Sequence, residues 1–143
     1  MTIKMRTIRA LKNARARLRD VAAAEHSMAS VIRDRSAQAL QDEHASLATT
    51  LDDAAELLAA ARTVHDLDRV AEGTVVSRLS VADAAERHQA ALTASMSTAD
   101  RLRERTRQLR TAERLTEIVE HRRAKRESRS ERHRLDDMVA RRR

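Results

Sequence analysis

Residues 70–82 read VAEGTVVSRLSVA and hold Gly73, the only glycine of a chain that has no proline. Glycine tolerates positive φ without a Cβ clash and is the usual residue just past a helix C-terminus. Thr74, Val75 and Val76 follow, and β-branched residues are mediocre helix formers. Ser80 with Asp83 then resembles a helix N-cap with an acidic partner three residues on. The stretch therefore predicts the bend of a helical hairpin. The alternative is one continuous helix that tolerates a glycine at a cost of about 1 kcal/mol.

Composition favours helices over a compact globule. The 143 residues include no Phe, Tyr or Trp, so the side chains that bury the most area are missing. Hydrophobic residues make up 41%, many of them alanine, against 36% charged, a balance typical of coiled coils. Absence of cysteine removes disulfide and thiolate chemistry. No apolar run approaches the ~18 residues of a transmembrane helix. Residues 1–19 are basic, free of acids and amphipathic, which also suits a mitochondrial presequence. The same periodicity continues beyond them and favours a structural helix start.

The expected fold is all-α, a long antiparallel two-helix coiled-coil hairpin in a single domain. Helix 1 runs from about 2 to 71, the bend from about 72 to 80, and helix 2 from about 80 to 142. In the first arm Leu47, Leu51, Ala54, Leu58 and Ala61 alternate steps of four and three, which is heptad spacing. Between Leu18 and Leu40 the phase slips by about one residue. With a bend centred near Thr74, residue i faces residue 148 − i. Leu102 then meets Leu47, Leu109 meets Leu40, and Leu135 and Met138 meet Leu11 and Ile8. Between Val119 and Leu135 the only apolar residue is Ala124, so that segment reads as a solvated or disordered one. Two chains sharing one seam in a four-helix bundle is the alternative assembly.

Charge is segregated along the chain. Residues 1–19 carry seven Lys or Arg and no acid, residues 20–100 six basic and fourteen acidic, and residues 101–143 sixteen basic and eight acidic. Folded as a hairpin, both basic ends reach one tip, with Arg15, Arg17 and Arg19 opposite 122–134. Like charges brought together oppose closure by a salt-screened amount. An acidic partner would complete such a tip; a solvated charged face is the plain alternative.

No catalytic constellation is visible. One glycine makes no phosphate loop. Of the six histidines only His121 has a His or Glu at the three- or four-residue spacing of a helical metal pair, Glu117, and one such pair makes no metal site by itself. His44 and His65, three heptads apart, read as seam residues. Asp52–Asp53 and Asp136–Asp137 are adjacent and diverge on a helix, a poor geometry for paired carboxylates. The chain is therefore expected to be no enzyme and to use no metal or cofactor. Its basic end would bind nucleic acid at low salt. Without an aromatic for base stacking, and with acids interleaved, no dedicated nucleic-acid function is expected; a basic scaffold or generic adaptor is the competing class.

Both ends resemble a known family. Ile8, Leu11, Arg15, Leu18, Arg19 and Asp20, followed by Ala22 to Ala24, resemble the opening of the FliJ/YscO family, the small coiled-coil stalk proteins of flagellar and injectisome type III export. Glu127, Glu131, Leu135, Asp136, Asp137 and Met138, followed by Arg141, resemble its closing stretch; Arg132 stands where that family often has glutamine. The resemblance covers about a third of the chain and none of the bend half. It implies a cytoplasmic, non-enzymatic stalk similar to the central shaft of rotary ATPases. Its two-terminus tip would enter the pore of the hexameric export ATPase and promote its activity. Other surfaces would touch the export gate protein and, in some members, export chaperones. Carried onto this chain, Arg15, Arg19, Arg132 and Arg134 would supply charge at the ATPase-facing tip. Ile8, Leu11, Leu18, Leu135, Asp136 and Met138 complete that site, with the apolar residues holding it shut.

Overall fold

The computed structural model describes the backbone of residues 5–140 and the side chains of 5–138; Thr2, Arg141 and Arg142, assigned to the helices or the closing motif above, lie outside them. Two helices account for the fold, α1 at Met5–Ala60 and α2 at Val64–Ala140. They form a helical hairpin, with no strand among the described residues.

The bend is not near Gly73. It consists of Ala61, Arg62 and Thr63, and Gly73 lies well inside α2. Its physical basis is the start of the second helix. The Asp66 amide donates to Thr63 Oγ1 at 3.2 Å, and Asp66 Oδ2 accepts from the Thr63 amide at 3.1 Å and the Arg62 amide at 3.3 Å. The Thr63 hydroxyl adds a bond to the same oxygen at 2.7 Å. This reciprocal box satisfies the Asp66 amide in the first turn and the Thr63 and Arg62 amides just before it. No described residue has positive φ, so the connection needs no glycine. Ser80, expected to be a cap, is mid-helix and donates to Glu43 Oε2 across the hairpin at 2.6 Å.

The hairpin divides into two compact units, one of Ala24–Asp100 and one of Met1–Ala23 with Arg101–Arg143. In the first, Ser36 pairs with His88 at 3.1 Å and His26 with Thr98 at 3.2 Å, and each pair sums to 124. Residue i therefore faces about 124 − i, and the pairing expected from a sum of 148 is displaced by 24 residues. The less exposed positions of α1 run 26, 29, 33, 36, 40, 43, 47, 50, 54, a strict alternation of three and four. On α2 they run 70, 74, 77, 81, 84, 88, 91, 95, 98. These rows are mostly small or polar. Ala84 and Ala91 are buried opposite Leu40 and Arg33, and Ser95 is 4% exposed. Leu51 and Leu58, expected in the seam, lie one residue off it and are exposed.

The seam histidines are His26 and His88, whereas His44 and His65 are exposed. Thr98 and Ser36 each spend their hydroxyl proton on a carbonyl three residues back, at 2.9 and 2.7 Å. Nδ1–H of each imidazole is therefore the donor in the cross-helix bond.

Candidate functional site

The second unit holds twenty-three Lys or Arg and nine Asp or Glu, a net +14; the Ala24–Asp100 unit holds six and thirteen, a net −7. Its α1 seam continues the heptad as Ile8, Lys12, Arg15, Arg19 and Ala22. Ile8 is buried beside the level of Thr116, itself buried. Ala112, 1% exposed, lies at the level of Lys12, which is half-buried. Apart from Ile8, every buried apolar residue of the described chain is an alanine.

Arg15 and Arg19 are seam residues rather than free tip charges. Arg15 Nη1 donates to the Gln108 carbonyl at 2.8 Å, tying α1 to the α2 backbone. Arg19 pairs with Asp20 at 2.8 Å, and its buried Nε has no hydrogen-bond partner. Both stand near 105–109 of α2, not opposite 122–134 as expected. Arg9 reaches Glu120 at 3.2 Å, a pair exposed enough to contribute only a fraction of a kcal/mol.

The C-terminal part of the expected site stands apart from the N-terminal part. Met5, the first described residue of α1, is level with about Val119. Beyond Val119 the heptad row of α2 that faces α1 continues as Arg123, Arg126, Ser130, His133 and Asp137, with no apolar side chain. Residues 121–138 are correspondingly exposed, Ser128 alone being half-buried. Leu135 at 58% and Met138 at 59% exposure do not close on Leu11 and Ile8. Arg132 lies twelve residues past Glu120, about 18 Å along the helix. This stretch is helical, not disordered, and it overhangs the described part of α1.

The overhang is asymmetric. At about 100° per residue, all seven Lys and Arg of 121–134 fall within an arc of about 200°, while Glu127 and Glu131 fall outside it beside Ala124 and Ser128. Asp136 and Asp137 return carboxylates to that arc a turn later. Arg123 Nε donates to Glu127 at 2.7 Å, which raises the Arg123 pKa further above its ordinary value. Arg132 makes a long bond to Ser128 at 3.4 Å. Arg134 and Asp136 are exposed.

Among the described residues no group of three His, Cys, Asp or Glu side chains converges to hold a metal ion, and no helix is long and apolar enough to cross a membrane. No protein-family description, curated protein or solved structure matches the chain.

Sequence reasoning tracked leucines and so missed what separates the two faces of this unit. Leu11, Leu18 and Val21 sit one residue before an α1 seam position, and Leu115 and Ile118 one before an α2 position. In antiparallel right-handed helices those positions turn to the same side. All five are exposed. The opposite side carries Arg9, Asn13, Glu113, Glu117 and Glu120.

Proposed function

We propose that this chain is a non-enzymatic docking hairpin, the stalk or adaptor of a type III export apparatus, whose basic unit is received by the hexameric export ATPase and promotes its turnover. The observation that carries the reading is the concentration of charge, +14 on one unit against −7 on the other. Its most accessible part is the α2 overhang. A helical stretch whose cationic arc over 121–134 is free of carboxylates suits an electronegative cavity, where partly desolvated charge pairs gain most. The resemblance names the partner, and Leu135, Asp136 and Met138, which carry its closing stretch, lie exposed on that overhang. The export gate and export chaperones remain the further partners that the resemblance implies, and cytoplasmic placement belongs to the same proposal.

Purified chain should raise the turnover of the export ATPase encoded beside it, and Arg126→Glu with Arg129→Glu should abolish the effect while leaving helicity unchanged. No stimulation by the wild-type chain overturns the reading. The cationic arc also favours a second reading, a basic scaffold on nucleic acid. Duplex binding that survives ~0.2 M salt would support it, because weak non-specific contacts are largely lost there.

A further inference from the structure

We propose that one side of the basic unit is a docking face for the surface of an anionic lipid bilayer, its aliphatic side chains entering the headgroup layer and its cations pairing with anionic headgroups. The inference goes beyond the export reading and rests on the basic unit alone. The first observation is a row on α2. Leu115, Ile118, Arg122, Lys125, Arg129 and Arg132 are spaced three and four apart, and all six are exposed. At about 100° per residue they fall within an arc of about 100° over about 26 Å of helix. Glu113, Glu117, Glu120, Glu127 and Glu131 fall within an arc of about 80° centred about 150° away. Glu104 and Asp136 mark the two ends of the row, and no carboxylate lies in its arc between them. One side of the helix thus carries an apolar step followed by a cationic one, and the other side carries the acids.

The second observation is that α1 widens the apolar step. Leu11, Leu18 and Val21 turn to the same side as Leu115 and Ile118 and are exposed, with Arg17 and Arg114 on the outer flanks. Glu113, Glu117 and Glu120 lie on the opposite side with Arg9 and Asn13. Aliphatic side chains rimmed by cations fit the boundary between acyl chains and anionic headgroups, where binding scales with buried apolar area plus attraction to the lipid charge. The sidedness favours a bilayer over an acidic protein. A planar surface of one sign meets the whole side at once and needs the carboxylates turned away along all of 113–131, whereas a partner with local acids does not. Without Trp, Tyr or Phe the chain has no aromatic anchor for the interface, so attachment depends on charge and is reversed by salt.

The test is co-sedimentation of the full chain with vesicles of phosphatidylcholine, alone or with about 30% phosphatidylglycerol, at about 0.15 M salt. Binding to the anionic vesicles should exceed binding to the neutral ones at least about tenfold and be largely lost at about 0.5 M salt. Leu115→Gln with Ile118→Gln, which leaves every charge in place, should weaken it at least about tenfold with unchanged helicity, since both side chains are exposed. Arg122→Glu with Lys125→Glu, which leaves the aliphatic side chains in place, should do the same. No binding to anionic vesicles overturns the proposal, and so does binding indifferent to the Leu115 and Ile118 pair, which is plain adsorption of a basic helix. A chain that binds duplex DNA but not anionic vesicles overturns it in favour of the nucleic-acid scaffold. No ATPase enters the measurement, so failure here and failure of the export reading are distinguishable.

Discussion

Gly73→Ala has opposite signs under the two positions of the bend. Gly73 sits in the interior of α2, and a Cβ built on it meets nothing within 4 Å. Its φ is not positive. Alanine then costs nothing in contacts and removes backbone freedom from the unfolded chain, with a gain of about 0.5–1 kcal/mol. For a chain of this size that corresponds to a rise in Tm of about 1–4 °C. Were Gly73 the left-handed residue closing a helix, alanine would lose about 1–2 kcal/mol instead, and Tm would fall. Thermal unfolding followed by far-UV circular dichroism at 222 nm, with urea midpoints as a check, separates the two. A fall in both refutes a bend at 61–63 and the register derived from it.

Two further predictions address the register and the cap. Thr50→Cys with Ser77→Cys, whose native hydroxyls lie 3.2 Å apart across the hairpin, should form an intramolecular disulfide in this cysteine-free chain; only intermolecular products would refute the pairing. Thr63→Ala should lose about 1 kcal/mol by urea titration. The Asp66 carboxyl is held below its ordinary 3.8 by the Thr63 hydroxyl first, then by the Arg62 and Thr63 amides. A depressed folded pKa gives stability that is present above 3.8 and fades as pH falls through the folded value. The gap between wild type and Asp66→Asn should therefore be constant from pH 7 to about pH 4 and shrink below that; a gap that grows on acidification would refute the cap.

The hairpin was legible because its signals are redundant: strong helix formers, no proline, and heptad steps that correctly included Leu47 and Ala54. The position of the bend was not. A three-residue connection without positive φ carries no glycine, so the stop of α1 is written only in the start of α2, as Thr63 and Asp66. Gly73 drew attention because breakers are usually informative, and here one is tolerated on an exposed helix face. The register failed for a related reason. The two pairings differ by 24 residues, close to seven steps of the 3.5-residue hydrophobic repeat, so apolar residues meet apolar residues under both. Only cross-helix polar pairs such as Ser36 with His88 and His26 with Thr98 distinguish them. The phase slip between Leu18 and Leu40 is a real feature misassigned: Leu18 belongs to the row outside the seam and Leu40 to the seam. Of the residues expected at the tip, Ile8 is buried at the level of Thr116, Arg15 donates to the Gln108 carbonyl, and 132–138 lie beyond the level of Met5, the first described residue of α1.

A seam of this kind has a consequence for how the molecule is held together. Burying alanine gains far less than burying leucine, at roughly 25 cal/mol per Å² of apolar area. The cross-helix bonds of Ser36, His88, His26 and Thr98 each add only about 0.5–1.5 kcal/mol net. The seam thus specifies register through polar pairs more than it stabilises through area. The stabilising side chains, Leu11, Leu18, Leu115 and Ile118 on the basic unit and Leu51 and Leu58 on the acidic one, are turned outward. On the proposed docking function, a partner that covers this outward apolar area would add stability by mass action.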